Sequence, residues 1–195
     1  MTSARGAITE DTAPDAFWQW SLKAYGQDGV SEDCMLLQDR HHMNVNVILW
    51  CIWTGQCGWL LADEAVGTVI ESVRDFNLYA VERLREVRRF LSAPKVGYPH
   101  TELQRLRRAL LEIELSGEQL IQHRLARETF AVAGPPPEAS QTSPAMAARA
   151  HFAASTRSLE KPPLLVNEGD PVAPSTLFER IVQTVLAEVT PPGVG

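Results

Sequence analysis

Gln38-Asp39-Arg40-His41-His42-Met43-Asn44, with Asn46 two residues further on, is the densest run of chemically capable side chains in the sequence. Asp39 beside His42 could orient a general base, and Asp39 with His41 or His42 could ligate a metal. Adjacent histidines on a helix project about 100° apart, and no third ligand is indicated, so no metal site is expected. The competing reading is structural. Histidines suit a helix C-terminus, and Asp39, Arg40, Asn44 and Asn46 can close a buried hydrogen-bond network around a turn. As a pocket, the lining would be Gln38, Asp39, His41, His42 and Asn46. Cys34, Cys51 and Cys57 sit among Leu, Ile and Trp, where thiols are usually inert filler. No catalytic residue, cofactor loop, nucleophile elbow or HExxH pattern is read.

A second concentration is basic. Residues 74–108 hold 9 basic and 4 acidic side chains, whereas residues 1–73 hold 3 and 10. Arg85, Arg88 and Arg89 recur at i, i+3, i+4 on one side of a helix, and Arg105 and Arg108 form a second pair. One reading is a solvated face that complements the acidic N-terminal third. The other is a dock for an acidic protein or an anionic ligand, since guanidinium forks match carboxylates and phosphates. Nucleic acid is not expected: there is no aromatic interleaving, and the chain carries a net charge of −6. Five tryptophans fall between Trp18 and Trp59. Most suit a core, with Trp20 or Trp59 able to line a groove or a subunit interface.

Helices must position these groups. Phe17, Trp18, Leu22 and Tyr25 follow Asp15 as an aromatic face that Gly26 stops. Ser31 is a suitable N-cap for a helix with Cys34, Leu37 and His41 on one side. Val45–Gly55 is apolar on nearly every face, and a β-strand competes for it. Asn44 as cap and Gly55 as stop favour a central buried helix. Val66, Val69, Ile70 and Val73 begin a stripe that Leu78, Val81, Leu84, Val87 and Leu91 continue, with a kink near Phe76-Asn77. Thr101 and Gln104 suit a capping box for a long helix bearing Leu103, Leu106, Leu110, Ile113, Leu120 and Leu125, with a break possible at Ser116-Gly117.

The expected fold is all-α: a compact helical domain of five or six helices over residues 14–132, after a frayed leader at 1–13. Residues 133–174 hold eight prolines among small residues and read as a linker unable to bury enough surface to order itself, although Phe152, Leu164, Leu165 and Val166 could dock locally. Residues 175–190 read as a separate amphipathic helix, with Phe178, Ile181, Val182, Val185, Leu186 and Val189 on one stripe. That helix needs a surface in its own domain, another subunit or a partner. No run is long and apolar enough to span a membrane. No signal peptide is read, and an odd cysteine count suits a reducing cytoplasm.

Taken together, Phe17-Trp18-x-Trp20-Ser21-Leu22, Leu37-Gln38-Asp39-Arg40-His41 and Val45-Asn46-Val47-Ile48-Leu49-Trp50 resemble a family of small proteobacterial proteins carrying a domain of unknown function. The resemblance spans roughly residues 15–130. It implies that Gln38, Asp39, His41 and Asn46 are a polar signature, and it implies no activity. Asn44 stands where the family often has Asp, and His42 where a small residue is common. The expected role is a non-enzymatic interaction or accessory protein, acting through a protein partner or as a homo-oligomer. The alternative is a small ligand-binding protein or enzyme with the pocket above.

Overall fold

In a computed structural model, residues 8–157 and 172–191 are described, and every regular element among them is helical. Residues 1–7 of the expected leader, and Leu164, Leu165 and Val166, lie outside the described residues. Residues 9–12 are not frayed. Thr9 and Thr12 exchange backbone and side-chain hydrogen bonds, with the Thr9 amide donating to Thr12 Oγ1 at 2.9 Å, and this turn leads into α1 (Ala13–Tyr25). The inward face of α1 is Phe17, Trp20, Ser21 and Ala24. Leu22, expected there, is half-exposed.

The chain then turns through Gly29, whose φ of 78° suits glycine, into α2 (Val30–His41). Gly29 thus takes the N-cap place expected of Ser31. Cys34, Leu37 and His41 share the buried side as expected. His42 ends the helix in a left-handed conformation, φ 56°, normally filled by Gly or Asn.

The central element is α3 (Val45–Cys57), buried on all sides from Asn46 to Gly55. Asn44 caps it, its Oδ1 accepting from the Asn46 amide at 2.9 Å. The helix does not stop at Gly55 but runs to Gly58. Gly55 has another use: a Cβ there would stand 2.6 Å from Pro144 O and 3.0 Å from Ala148 N, so its bare backbone lets another helix cross.

A rod follows, made of α4 (Asp63–Phe76), a π turn (Asn77–Val81) and α5 (Glu82–Phe90). The kink expected near Asn77 is this wider turn. Val66, Val69, Val73 and Val81 face inward, while α5 buries no residue fully. The rod lies against α6 (His100–Ala133), which opens without the side-chain cap expected from Thr101 and passes Gly117 unbroken. A Cβ at Gly117 would meet Val81 Cγ2 at 2.9 Å. The α6 face turned inward is Leu103, Glu114, Gly117, Ile121, Gln122 and Leu125. Leu106, Ile113 and Leu120 of the expected stripe stay exposed.

The linker expected over 133–174 contains a packed helix, α7 (Pro144–Arg157). Its alanines carry little apolar surface, yet Ala147 and Ala148 are buried. These two allow backbone-close crossing over Gly55, and His151 and Phe152 are buried. The C-terminal helix α8 (Pro174–Glu188) buries Leu177, Phe178, Ile181, Val182 and Val185 on its own chain, against α2 and α7. Phe178 stacks on Phe152 at 3.9 Å between ring centroids, and Arg180 pairs with Asp33 of α2.

Candidate functional site

The polar residues singled out in the sequence separate into an interior network and an open cleft. The network begins at Ser21 Oγ, which lies 2.7 Å from Gln122 Oε1 and 2.9 Å from Trp18 O. Gln122 Nε2 donates to Asn46 Oδ1 at 2.9 Å, and Asn46 Nδ2 donates to Glu118 Oε2. Arg85 then bridges two carboxylates, Glu118 through Nη2 and Glu114 through Nε at 3.0 Å. Arg88 completes the chain with two bonds to Glu114. A single hydrogen-bonded path thus ties α1, α3, α6 and α5 together, and its buried groups find their partners within it.

The electrostatics follow from burial. Desolvation pushes Glu114 up, but hydrogen bonds and charge from Arg88 and Arg85 outweigh it and hold the carboxyl below its ordinary value. Glu118 goes the other way: burial raises it, and Asn46 and Arg85 offset that only in part. The Arg88 guanidinium is raised by its bond to Glu114. Arg85 and Arg88 therefore belong to a structural network, contrary to their expected place on a free docking face. Glu114, Glu118 and Gln122 were missed by sequence reasoning. The available signal was Glu114 and Glu118 at i, i+4, matching Arg85 and Arg88 at i, i+3.

The cleft lies between the end of α2 and the rod. Gln38, Asp39, His42, Met43 and Asn44 line one side and Asn77, Glu82, Arg85, Glu86 and Arg89 the other, around about 300 Å³. Arg89 Nη2 donates to Asp39 Oδ1 at 2.6 Å across it, both side chains half-exposed. Gln38, Asp39 and His42 thus meet Arg85 and Arg89, two sets that sequence spacing kept apart. His41 and Asn46 do not line this cleft. His41 is buried at 1% exposure on the core side of α2, and Asn46 sits in the network.

Trp20 and Trp59 are not surface residues, contrary to the groove or interface expected of them. Each is 3% exposed. Trp20 Nε1 donates to Gln56 Oε1 at 2.7 Å and Trp59 Nε1 to Gly134 O at 3.2 Å. Trp59 also packs edge-on against Phe130. Their polar tips find partners within the fold, so they serve the core. Burial pushes the Cys34 thiol up to about 12 and raises Cys51 and Cys57 as well. These thiols stay protonated and unreactive near neutrality.

The exposed surface is uneven. Most large apolar side chains that stand exposed among the described residues lie between Phe76 and Leu120. The arm formed by α5 and the N-terminal half of α6 carries Val87 at 48%, Phe90 at 63%, Leu106 at 51% and Ile113 at 55% exposure. Phe76 and Leu120 flank a shallow hollow at its base. Arg105 and Arg108 are exposed on the same arm, Arg105 holding Glu102 at 2.8 Å. No helix among the described residues is long and apolar enough to cross a membrane.

Residues 16–125 match a family described as a protein of unknown function (DUF2390). The match contains the interior network, the cleft and the arm, and leaves α7 and α8 outside. No curated protein and no solved structure matches the chain.

Proposed function

The chain belongs to the DUF2390 family of proteins of unknown function, and we propose that it is a non-enzymatic interaction or accessory protein of the cytoplasm, contacting its partner through the α5–α6 arm. The observation that carries this reading is the concentration of exposed apolar side chains on that arm, rimmed by charged residues. Apolar side chains left exposed in this number on one arm favour an interaction site. The arm also contributes little to the core, since α5 buries no residue fully. Free buried thiols at Cys34 and Cys51 suit a reducing compartment.

A photo-crosslinking residue placed in turn at Val87, Ile113 and Leu22, each near half exposure, tests the reading in living cells. Products are expected at Val87 and Ile113 and not at Leu22. Equal labelling at all three positions, or none, would remove the arm from consideration.

The cleft supports a second reading, a small anionic ligand bound by Arg89. Such a ligand would take over the bond that Asp39 now makes. Native mass spectrometry of protein from its own host reads this directly: a retained mass that an Arg89→Ala variant loses would favour the cleft.

A further inference from the structure

The exposed face of α6 has a regular pattern. Leu106, Ala109, Ile113, Ser116 and Leu120 follow one another at steps of three, four, three and four, and all five are exposed. Steps of that size keep one stripe of a helix turned toward a single neighbour over several turns. Large and small residues alternate along it, so a second helix can approach closely at Ala109 while Leu106 and Ile113 fill the space beside it. The side chains just before Leu106 and Ile113 are Arg105 and Glu112, both exposed and of opposite charge.

We propose that this face pairs with the same face of a second copy of this chain, the two α6 helices running antiparallel and crossing near Ala109. The inference rests on the arm being the contact surface. It commits to a second copy because the stripe is self-complementary in only one orientation. Turned antiparallel about Ala109, Arg105 of each copy lies beside Glu112 of the other, and Leu106 lies beside the small Ala109. Turned parallel, Arg105 and Glu112 of one copy lie on the opposite side of the seam from those of the other, so neither ion pair forms. A two-fold axis repeats each favourable pair, so one substitution acts twice.

Sedimentation at micromolar concentration tests this with three proteins. The wild-type chain is expected to form a dimer, and Arg105→Glu to weaken it by at least about tenfold, because two ion pairs become repulsions. Arg105→Glu combined with Glu112→Arg is expected to restore it. Both positions are exposed, so the melting temperature of each protein serves as a check that folding is intact. Under mild oxidation Ala109→Cys is expected to form a disulfide-linked dimer and Ser116→Cys is not, since a crossing near Ala109 carries the two copies of residue 116 apart. Linkage at both positions would mean a parallel pairing and would overturn the proposal, as would a dimer that the charge exchange fails to rescue. A monomeric wild-type chain would also overturn it. The arm would still stand if Val87 and Ile113 crosslinked to a different protein, and would fall with it if they crosslinked to nothing.

Discussion

The imidazole of His151 accepts a hydrogen bond from the Leu61 amide, Nε2 to N at 2.9 Å, from inside a helix that crosses the centre of the fold. Because Nε2 accepts, the proton of the neutral ring must sit on Nδ1, which faces Thr54 Oγ1 at 2.9 Å. Thr54 in turn donates to Trp50 O at 2.8 Å. The ring is fully buried and stacks on Trp50. Protonating it would break the bond to Leu61 and leave a charge in the core.

Stability should therefore fall in mild acid. Burial pushes His151 down to about 4, against about 6.5 in an unfolded chain. Between those values the unfolded state binds a proton that the folded state refuses, so stability is complete above pH 6.5 and declines as pH falls toward 4. The full difference is about 3 kcal/mol. Urea unfolding at pH 7.5, 5.5 and 4.5 should show the decline, and His151→Gln should be less stable at pH 7.5 with a flatter profile across the same window. A wild-type profile as flat as that of the variant would mean that His151 titrates normally.

Gly55 tests the crossing of α3 and α7 in a way that reverses an ordinary sign. Replacing an interior helical glycine by alanine normally stabilises, by up to about 1 kcal/mol. Here the added methyl would meet the backbone at Pro144 O and Ala148 N, which cannot swing aside as a side chain can. Gly55→Ala should therefore destabilise, by about 1–3 kcal/mol. Gly117→Ala, whose nearest neighbour is a Val81 methyl, should cost less. Thermal melts of the two variants decide it: a Gly55→Ala protein as stable as wild type would separate α7 from α3.

The two ion-pair systems along α5 differ in burial and should differ in consequence. Glu114 is 6% exposed at its side chain and holds Arg85 and Arg88. Glu114→Ala removes both bonds of Arg88 and leaves Arg85 to Glu118 alone, and a loss of about 3–5 kcal/mol is expected. Asp39 and Arg89 are half-exposed, so Asp39→Ala should cost less than about 1 kcal/mol. Denaturant unfolding of both reads the ratio. Equal losses would mean that the Asp39–Arg89 bridge closes the cleft structurally instead of spanning it loosely.

The sequence disclosed most where large apolar residues marked a face, and least where small or charged ones did. The stripe Phe178, Ile181, Val182, Val185 identified α8 and the face it buries, and Asn44 identified the start of α3. Neither named the surface each would meet, because a stripe states that something covers it and not what. Helix α7 is hard to read because its closest approach to α3 is made by Ala147, Ala148 and the absent side chain of Gly55, none of which raises a hydrophobic signal. The interior face of α6 was misassigned for a related reason. Leu106, Ile113 and Leu120 outrank Glu114, Gly117 and Gln122 on any hydrophobic scale, yet the latter face inward because Arg85, Val81 and Asn46 receive them. Of the candidate site, the convergence of Asp39 with Arg89 depends on a contact fifty residues apart in sequence, which neither helix periodicity nor local charge spacing can express.

Phe178 offers the last test, of whether α8 is part of the folding unit. Its ring is 2% exposed and lies nearly parallel to Phe152, 10° between planes. Arg149 and Glu179 clamp the same pair of helices at the surface with bonds of 2.8 and 2.6 Å. If α8 were a tether for a partner, Phe178→Ala would leave the unfolding of residues 13–133 unchanged. With α8 packed on α2 and α7, the substitution opens a cavity in a shared core, and a loss of about 3–5 kcal/mol in one cooperative transition is expected. Hydrogen exchange supplies the independent readout. Amides of α2 around Leu37 should lose protection together with those of α8 in the variant, whereas faster exchange confined to α8 would show that the helix docks without stabilising the fold beneath it.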